Sequence, residues 1–369
     1  MMDTIYCQGC GVQIQTENKD ELGYTPESAL NREEVICQRC FRLKHYNEVQ
    51  DVDLKADDYI QMLNKINTKN GLIVKVVDLF DVHGSFIPHL KRIVGKKPIV
   101  LIGNKVDLLP QSVNLNKVRL WLKKTTEDYG LNVEAIFLVS SVKGIGMDEA
   151  SLQLERLRKS QNIYVVGSTN VGKSTFINYL INQTLKAKDV ITTSYFPGTT
   201  LGFIEIPLDK KSYMIDTPGV INHHQIVHLL SGEDLKVITP RKEVKPRVYQ
   251  MNDGQALFFG GLARLDIDQA DEKKGYVCYF ANELNIHRTK KENADQLYEK
   301  HIGEMLSPPS KQYVNDFPKF EQQTFELDFD HKVDLVISGL GWITIGEGLT
   351  QVTAHVPKGV HVTVRNAII

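Results

Sequence analysis

Between Leu72 and Ile215 the apolar positions change period repeatedly. Mostly apolar runs at 72–77 (interrupted by Lys75), 98–103, 135–139 and 162–166 alternate with longer stretches whose apolar residues recur every three or four positions. The runs predict buried strands of a mostly parallel sheet, and the spaced stretches predict helices covering both of its faces. Helices are expected at 86–94, at 112–130 (Leu115, Val118, Trp121 and Leu122, with Ser112 as N-cap and Gly130 as stop), at 148–159 (Ala150, Leu154, Leu157) and from Phe176 onward. Leu54, Tyr59, Ile60, Leu63 and Ile66 suggest one more helix, and 201–207 with 212–215 read as a strand pair. Beyond residue 222 the pattern becomes that of an α+β, β-rich region. It has a strand at 275–280, a polar helical segment to about Leu306 stopped by Ser307-Pro308-Pro309, and alternation from Phe325 onward (Val333, Leu335, Ile337; Ile343, Ile345; Val360, Val362, Val364). Three regions are therefore expected, at 1–48, 49–222 and 223–369.

The first region is poor in apolar residues but holds Cys7-Gln8-Gly9-Cys10 and Cys37-Gln38-Arg39-Cys40, four of the five cysteines. Two C-x-x-C pairs can close a tetrahedral Cys₄ shell, so Cys7, Cys10, Cys37 and Cys40 are candidate ligands of a structural zinc ion that largely folds the finger. The competing reading, a redox C-x-x-C, lacks the βαβ surroundings such a motif uses. Hydrophobic residues at 42% and charged residues at 24% are those of an ordinary soluble protein. No apolar run approaches the roughly 18 residues of a membrane span, and the N-terminus has no signal-peptide pattern, so a cytoplasmic protein is expected. A net charge of −1 argues against general polyanion or DNA binding. Any nucleic-acid surface must come from local basic clusters. These are Arg39, Arg42, Lys44 and His45; 241–247; and 287–291, with Tyr249, Phe258, Tyr279 and Trp342 as aromatic neighbours in sequence. For Arg39 and its neighbours, balancing the thiolates, touching phosphate or simple solvation all fit.

Behind the run at 162–166 stands Gly167-Ser168-Thr169-Asn170-Val171-Gly172-Lys173-Ser174-Thr175, a G-x-x-x-x-G-K-[ST] turn between strand and helix. Its backbone N–H groups would cradle phosphates, Lys173 would reach the β- and γ-phosphates, and the Ser174 hydroxyl would sit on magnesium. The candidate nucleotide contacts here are Gly167, Thr169, Asn170, Val171, Gly172, Lys173, Ser174 and Thr175. Upstream, the run at 98–103 ends in Asn104-Lys105-Val106-Asp107. The Asp107 carboxylate can accept from the ring N–H and exocyclic amine of guanine, a donor pair adenine lacks; Asn104 adds ring contacts and the Lys105 stem packs on the base. Ser140-Ser141-Val142-Lys143 resembles the loop that flanks the base in GTPases, making Ser140, Ser141 and Lys143 further candidates. Downstream, Pro197-Gly198-Thr199-Thr200 fits a first switch, with Thr200 (or Thr199) on magnesium. Asp216-Thr217-Pro218-Gly219 fits a second, with Asp216 holding magnesium through water and the Gly219 N–H meeting the γ-phosphate. The catalytic candidates are Lys173, Asn170, Thr200, Asp216 and Gly219.

The base-reading motifs precede the phosphate-reading ones, the reverse of an ordinary G domain. A circular permutation accounts for this: the helix at 148–159 feeds the P-loop strand, the sheet is unchanged, and the second switch leads directly into residues 223–369. The Cys₄ finger, these five motifs in this order and Phe259-Gly260-Gly261-Leu262-Ala263-Arg264-Leu265-Asp266 closely resemble the YqeH family of circularly permuted GTPases, over nearly the whole chain. The resemblance implies GTP hydrolysis and a role in assembly of the small (30S) ribosomal subunit, with contacts to ribosomal RNA. Two residues bear on mechanism. Val220 stands where Ras-type enzymes carry a water-orienting Gln, so slow intrinsic turnover is expected. Asn170, in a G-x-x-N-V-G-K-S loop, is a candidate potassium ligand, the cation supplying charge beside the phosphates; shaping the loop is its alternative role. A regulatory switch acting on a protein partner is the other function to weigh. A metabolic kinase is disfavoured, because it has no use for guanine-reading and switch motifs.

Overall fold

Strands buried on both faces need apolar side chains at every position, and the continuous runs supply them. In the computed structural model, which describes residues 5–32, 34–46, 53–54, 70–87, 90–187, 203–230, 232–270 and 273–369, each of these runs is a strand. Leu54, the first residue of the helix expected between Asp51 and Asn70, is instead in the two-residue strand Asp53–Leu54 paired with Gly219–Val220. Tyr59, Ile60, Leu63 and Ile66 and the loop carrying Thr199 and Thr200 lie outside the described residues. Two compact units form, residues 1–107 with 115–222, and residues 108–114 with 223–369.

In chain order the first unit comprises α1 (Gln38–Tyr46), β1 (Asp53–Leu54), β2 (Leu72–Asp78), α2 (Leu90–Val94), β3 (Ile99–Asn104), α3 (Leu115–Asp128), β4 (Ala135–Leu138), α4 (Met147–Leu157), β5 (Ile163–Gly167), α5 (Lys173–Ala187), β6 (Ile204–Pro207), β7 (Tyr213–Asp216) and β8 (Gly219–Val220). Six of the strands make one sheet in the order β4-β3-β2-β5-β7-β6. Every pair in it is parallel except the β6–β7 hairpin. β5, which delivers the P-loop, sits in the interior of this sheet, between β2 and β7. This is a doubly wound α/β domain whose chain order is permuted. α4 and α5 pack Met147, Ala150, Leu154, Phe176 and Ile177 against Val74, Val100, Ile163 and Val165. Leu43 of α1 belongs to the same core, so the cysteine-bearing segment and the sheet share apolar packing.

Two helix boundaries differ from the periodicity. α2 is described over Leu90–Val94, and Phe86, where the periodicity begins the helix, is in extended backbone after a turn at His83–Ser85. α3 starts at Leu115 rather than next to Ser112; the Val113 N–H closes a turn on the Pro110 carbonyl at 3.0 Å, leaving Asn114 at the cap position.

In the second unit, α6 (Gly232–Ile238) precedes β9 (Arg247–Met251), β10 (Gln255–Phe259), β11 (Ala263–Ala270), β12 (Lys274–Phe280) and β13 (Ile286–Lys290). Then come α7 (Lys291–His301), β14 (Phe320–Leu327), β15 (Val333–Ile337), β16 (Gly341–Ile345), β17 (Thr350–Pro357) and β18 (Val362–Asn366). The strands form two antiparallel five-stranded sheets, β13-β10-β11-β17-β14 and β18-β15-β16-β12-β9. One core joins them: Leu257, Phe259, Leu265 and Ile267 from the first sheet, Tyr276, Cys278, Leu335 and Ile343 from the second. Cys278 is a fully buried core residue, as expected. α7 ends at His301, short of the Pro308-Pro309 stop, because Gly303 takes φ +78° and turns the chain first. The aromatic residues weighed as an RNA surface are mostly core: Phe258, Tyr279 and Trp342 are buried, Trp342 stacked on Tyr279 at 4.9 Å. Among the described residues no helix is long and apolar enough to cross a membrane.

Candidate functional site

The P-loop leaves β5 at Gly167 and enters α5 at Lys173. Between them Asn170 and Gly172 adopt left-handed backbone, φ +62° and +82°. Gly172 is required twice over, since a Cβ there would also lie 2.4 Å from Asn104 Nδ2. That closeness reflects a cross-brace. Asn104 Nδ2 donates to the Val171 carbonyl at 2.9 Å, and Asn104 Oδ1 accepts from the Ser141 N–H at 3.0 Å and the Ser141 hydroxyl at 2.9 Å. One buried amide thus ties the N-K-x-D strand end, the Ser140–Ser141 loop and the P-loop together. Its side chain therefore braces the three segments that would surround a nucleotide.

Lys105 makes a second brace, donating to Asp78 Oδ2 at 2.6 Å and to the Asn170 carbonyl at 2.7 Å. Asp107, in the turn Val106–Leu108, faces the Lys143 ammonium at 3.6 Å. Ser140 is buried, and its hydroxyl accepts the Lys143 N–H at 3.1 Å. The base-side candidates are therefore gathered against the phosphate-side ones, although about 60 residues separate the motifs along the chain.

On the phosphate side Lys173 and Asp216 are both buried, and Lys173 Nζ is paired with Asp216 Oδ1. The other carboxylate oxygen, Oδ2, is held by Arg39 Nη2 from α1. Ser174 is buried, while Thr175 and Asn170 are exposed. The second switch is pinned beside the loop: the Thr169 N–H donates to the Val220 carbonyl at 3.0 Å, and the Thr217 hydroxyl donates to the Val165 carbonyl at 2.9 Å. A Cβ at Gly219 would lie 3.0 Å from Thr169 Cγ2. The Val220 side chain is buried, so at this position the chain offers the site a backbone and no polar group.

Three residues here escape sequence reasoning. Asp78, Ser85 and Lys75 form a layer under the loop. Lys75, wholly buried in mid-strand, donates from Nζ to the Ser85 carbonyl at 2.6 Å, and the Ser168 hydroxyl donates to the same carbonyl at 3.0 Å. Burial pulls the Lys75 ammonium down to about 7. The only sequence signal was a lysine inside an apolar run.

The four thiols of Cys7, Cys10, Cys37 and Cys40 are buried, with all sulfurs within 4.8 Å of one another. Cys10 Sγ and Cys37 Sγ stand 3.7 Å apart, about the edge of a tetrahedron with bonds of roughly 2.3 Å to a central ion. The N–H groups of Cys10 and Cys37 point at Cys7 Sγ at 3.5 and 3.2 Å. Hydrogen bonding among the four thiols lowers Cys7 and Cys10 and raises Cys37 and Cys40, so the cluster shares its protons rather than holding four independent thiols. Gly9 is small of necessity: a Cβ there would meet Cys40 Sγ at 2.9 Å. The donor set fits one tetrahedral metal ion.

Residues 162–251 match a protein-family model described as 50S ribosome-binding GTPase, and residues 273–368 match one described as YqeH-like, C-terminal. The first match opens at the P-loop strand and leaves the N-K-V-D motif upstream of it. The chain is 52% identical to YqeH of Bacillus subtilis (strain 168), over 100% of both chains. It is 30% identical to NO-associated protein 1, chloroplastic/mitochondrial, of Arabidopsis thaliana, over 92% of this chain and 69% of that one. It is 25% identical to nitric oxide-associated protein 1 of Mus musculus, over 99% and 75%.

Proposed function

Given that the chain belongs to the YqeH family of circularly permuted GTPases, we propose that it hydrolyses GTP to GDP and phosphate as a nucleotide-dependent assembly factor of the small (30S) ribosomal subunit, working in the cytoplasm. The observation that supports the nucleotide part is the Asn104 brace, which ties the strand end leading to Asp107 to the phosphate-binding turn and to the Ser140–Ser141 loop. In this reading Asp107 accepts from guanine while Ser140, Ser141 and Lys143 flank the base. The N–H groups of the P-loop hold the phosphates, and Lys173 leaves Asp216 for their β- and γ-oxygens. Ser174, Thr200 and Asp216 are hard oxygen donors suited to magnesium. That ion neutralises charge on the phosphates when bound. The Gly219 N–H meets the γ-phosphate. The Cys₄ cluster is assigned to a structural zinc ion, as four sulfurs at tetrahedral spacing favour.

Val220 gives the attacking water no partner, so turnover depends on another source of order and charge. We assign part of this to a potassium ion at Asn170, whose left-handed backbone leaves the residue exposed beside the loop. Steady-state hydrolysis in potassium is expected to exceed that in sodium by about tenfold, roughly 1.4 kcal/mol, and Asn170→Ala should erase the difference. Equal rates in the two salts would remove potassium from the mechanism.

The RNA part draws support from exposed Arg241, Lys242, Lys245 and Arg288 in the second unit. Co-sedimentation with purified 30S and 50S subunits, with GDP or a non-hydrolysable GTP analogue, tests the whole. Association with 30S only in the GTP-like state is the expected result. Retention on 50S alone would redirect the reading to the large subunit, and no retention on either would point to a protein partner.

A further inference from the structure

The amino-terminal finger contributes a charge to the nucleotide site. Arg39 lies between the thiols of Cys37 and Cys40 and is the second residue of α1. It is 3% exposed, and its Nη2 is on Asp216 Oδ2 while Lys173 Nζ is on Oδ1. Asp216 itself has no exposed surface. One turn further along the same face of α1, Leu43 is buried in the core of the sheet with Val74, Ile163 and Met214. The helix is thus anchored at two points, one apolar and one ionic, and its start is set by the cysteine cluster.

Charge bookkeeping makes the ionic anchor conditional. The two oxygens of one carboxylate are shared by two cations beside the P-loop, so a further cation reaches Asp216 only by displacing one of them. The function proposed above, on which this inference rests, gives Asp216 to magnesium. A guanidinium and an ammonium on its two oxygens stand where the hydrated ion must bind. Lys173 has a new partner when a triphosphate enters. Arg39 must release Oδ2 as well, since the ion repels the guanidinium and the water it carries needs the lone pairs that the guanidinium occupies.

We propose that Arg39 is a positioning residue of the nucleotide cycle: it occupies the magnesium carboxylate in the empty site and yields it to Mg²⁺ with GTP, so that α1 and the cysteine finger respond to nucleotide state. Ordinary G-domain parts alone do not provide this link. It runs through a residue of the C-x-x-C pair, and it explains why a finger with little apolar surface carries a fully buried arginine.

Binding of a fluorescent non-hydrolysable GTP analogue to the full-length protein, titrated with MgCl₂, tests the competition. Arg39→Gln should lower the half-saturating magnesium concentration at least fivefold, and Arg39→Lys should bring it back toward wild type. An unchanged or higher half-point in Arg39→Gln overturns the proposal, because a merely structural ion pair would not move it downward. Asp216→Asn separates the underlying reading. Magnesium dependence should be lost in that variant; if it persists, Asp216 is not the magnesium carboxylate and the inference falls with that assignment. Hydrogen exchange of the unmutated protein gives a test that needs no variant. Amides of Gln38–Tyr46 should exchange faster with Mg²⁺ and the GTP analogue than without nucleotide, and equal or slower exchange refutes the release of Arg39.

Discussion

In the proposed function base identity rests on Asp107, and its chemistry makes a sharp expectation. Asp107→Asn replaces an acceptor by an amide that presents a donor to guanine's own donors. A loss of roughly 2–4 kcal/mol in GTP affinity is expected, with xanthosine triphosphate, which carries a carbonyl where guanine has the amine, binding better than GTP. Competition binding with the two nucleotides checks this. Lys75 sets a different expectation, about stability. The unfolded chain keeps its proton up to about 10.5, whereas burial brings the folded-state value down to about 7. Between those values the unfolded state binds more protons, so this residue's penalty shrinks as pH rises and stability increases with pH. Lys75→Met should remove on the order of 4 kcal/mol of penalty at pH 7, less about 1 kcal/mol for the bond to the Ser85 carbonyl. Melting of the nucleotide-free proteins should favour the variant at pH 7, with the gap closing toward pH 10.

At the scale of elements, the strands and the helix faces were legible because two-sided burial leaves an unmistakable trace in β2, β3 and β5, whereas the order of the strands in the sheet came from the structure. Boundaries were less so: the start of α3 depended on a turn at Pro110, and the end of α7 on Gly303. α1 was not legible at all. Its sequence is basic, and its anchoring at Arg39 and Leu43 depends on residues more than 30 positions away or further, on Asp216 and the sheet core. Because Cys40 lies inside α1 and Cys37 immediately precedes it, stripping metal from the finger should unfasten this helix. Chelation is expected to make the peptide bonds after Arg39 and Arg42 cleavable by trypsin, and added zinc, but not magnesium, should restore resistance. Unchanged resistance after complete metal loss would mean that sheet packing alone holds α1.

For the molecule as a whole, permutation has a consequence for the second unit, since the second switch hands the chain directly to it. There, the basic stretch 241–247 is tied to the turn before β13: Arg247 donates to the Leu284 carbonyl at 2.6 Å and the Lys245 N–H to Asn282 Oδ1 at 2.9 Å, while Arg288 of β13 reaches the Gln250 carbonyl of β9 at 3.3 Å. If this edge meets ribosomal RNA, reversing Arg241, Lys242 and Arg288 to Glu should weaken 30S association at least tenfold and flatten its salt dependence. GTP hydrolysis by the variant should stay near the unmodified rate. An unchanged salt slope would place the contact elsewhere.

The sequence by itself determined the α/β class, the permuted motif order, the Cys₄ set and the residue types that read base and phosphate. Each is local: a period, a spacing or a donor pattern is complete within a few residues. Only the tertiary structure decided what those side chains are committed to. It made Asn104 a brace between the strand end and the P-loop, moved Phe258, Tyr279 and Trp342 from a candidate surface into the core, and put Lys75 beneath the P-loop. It also set Arg39 on Asp216, a pairing of charges 177 positions apart that no window of sequence contains. Hydrophobic periodicity is blind to such contacts because they depend on which buried charges the fold brings face to face.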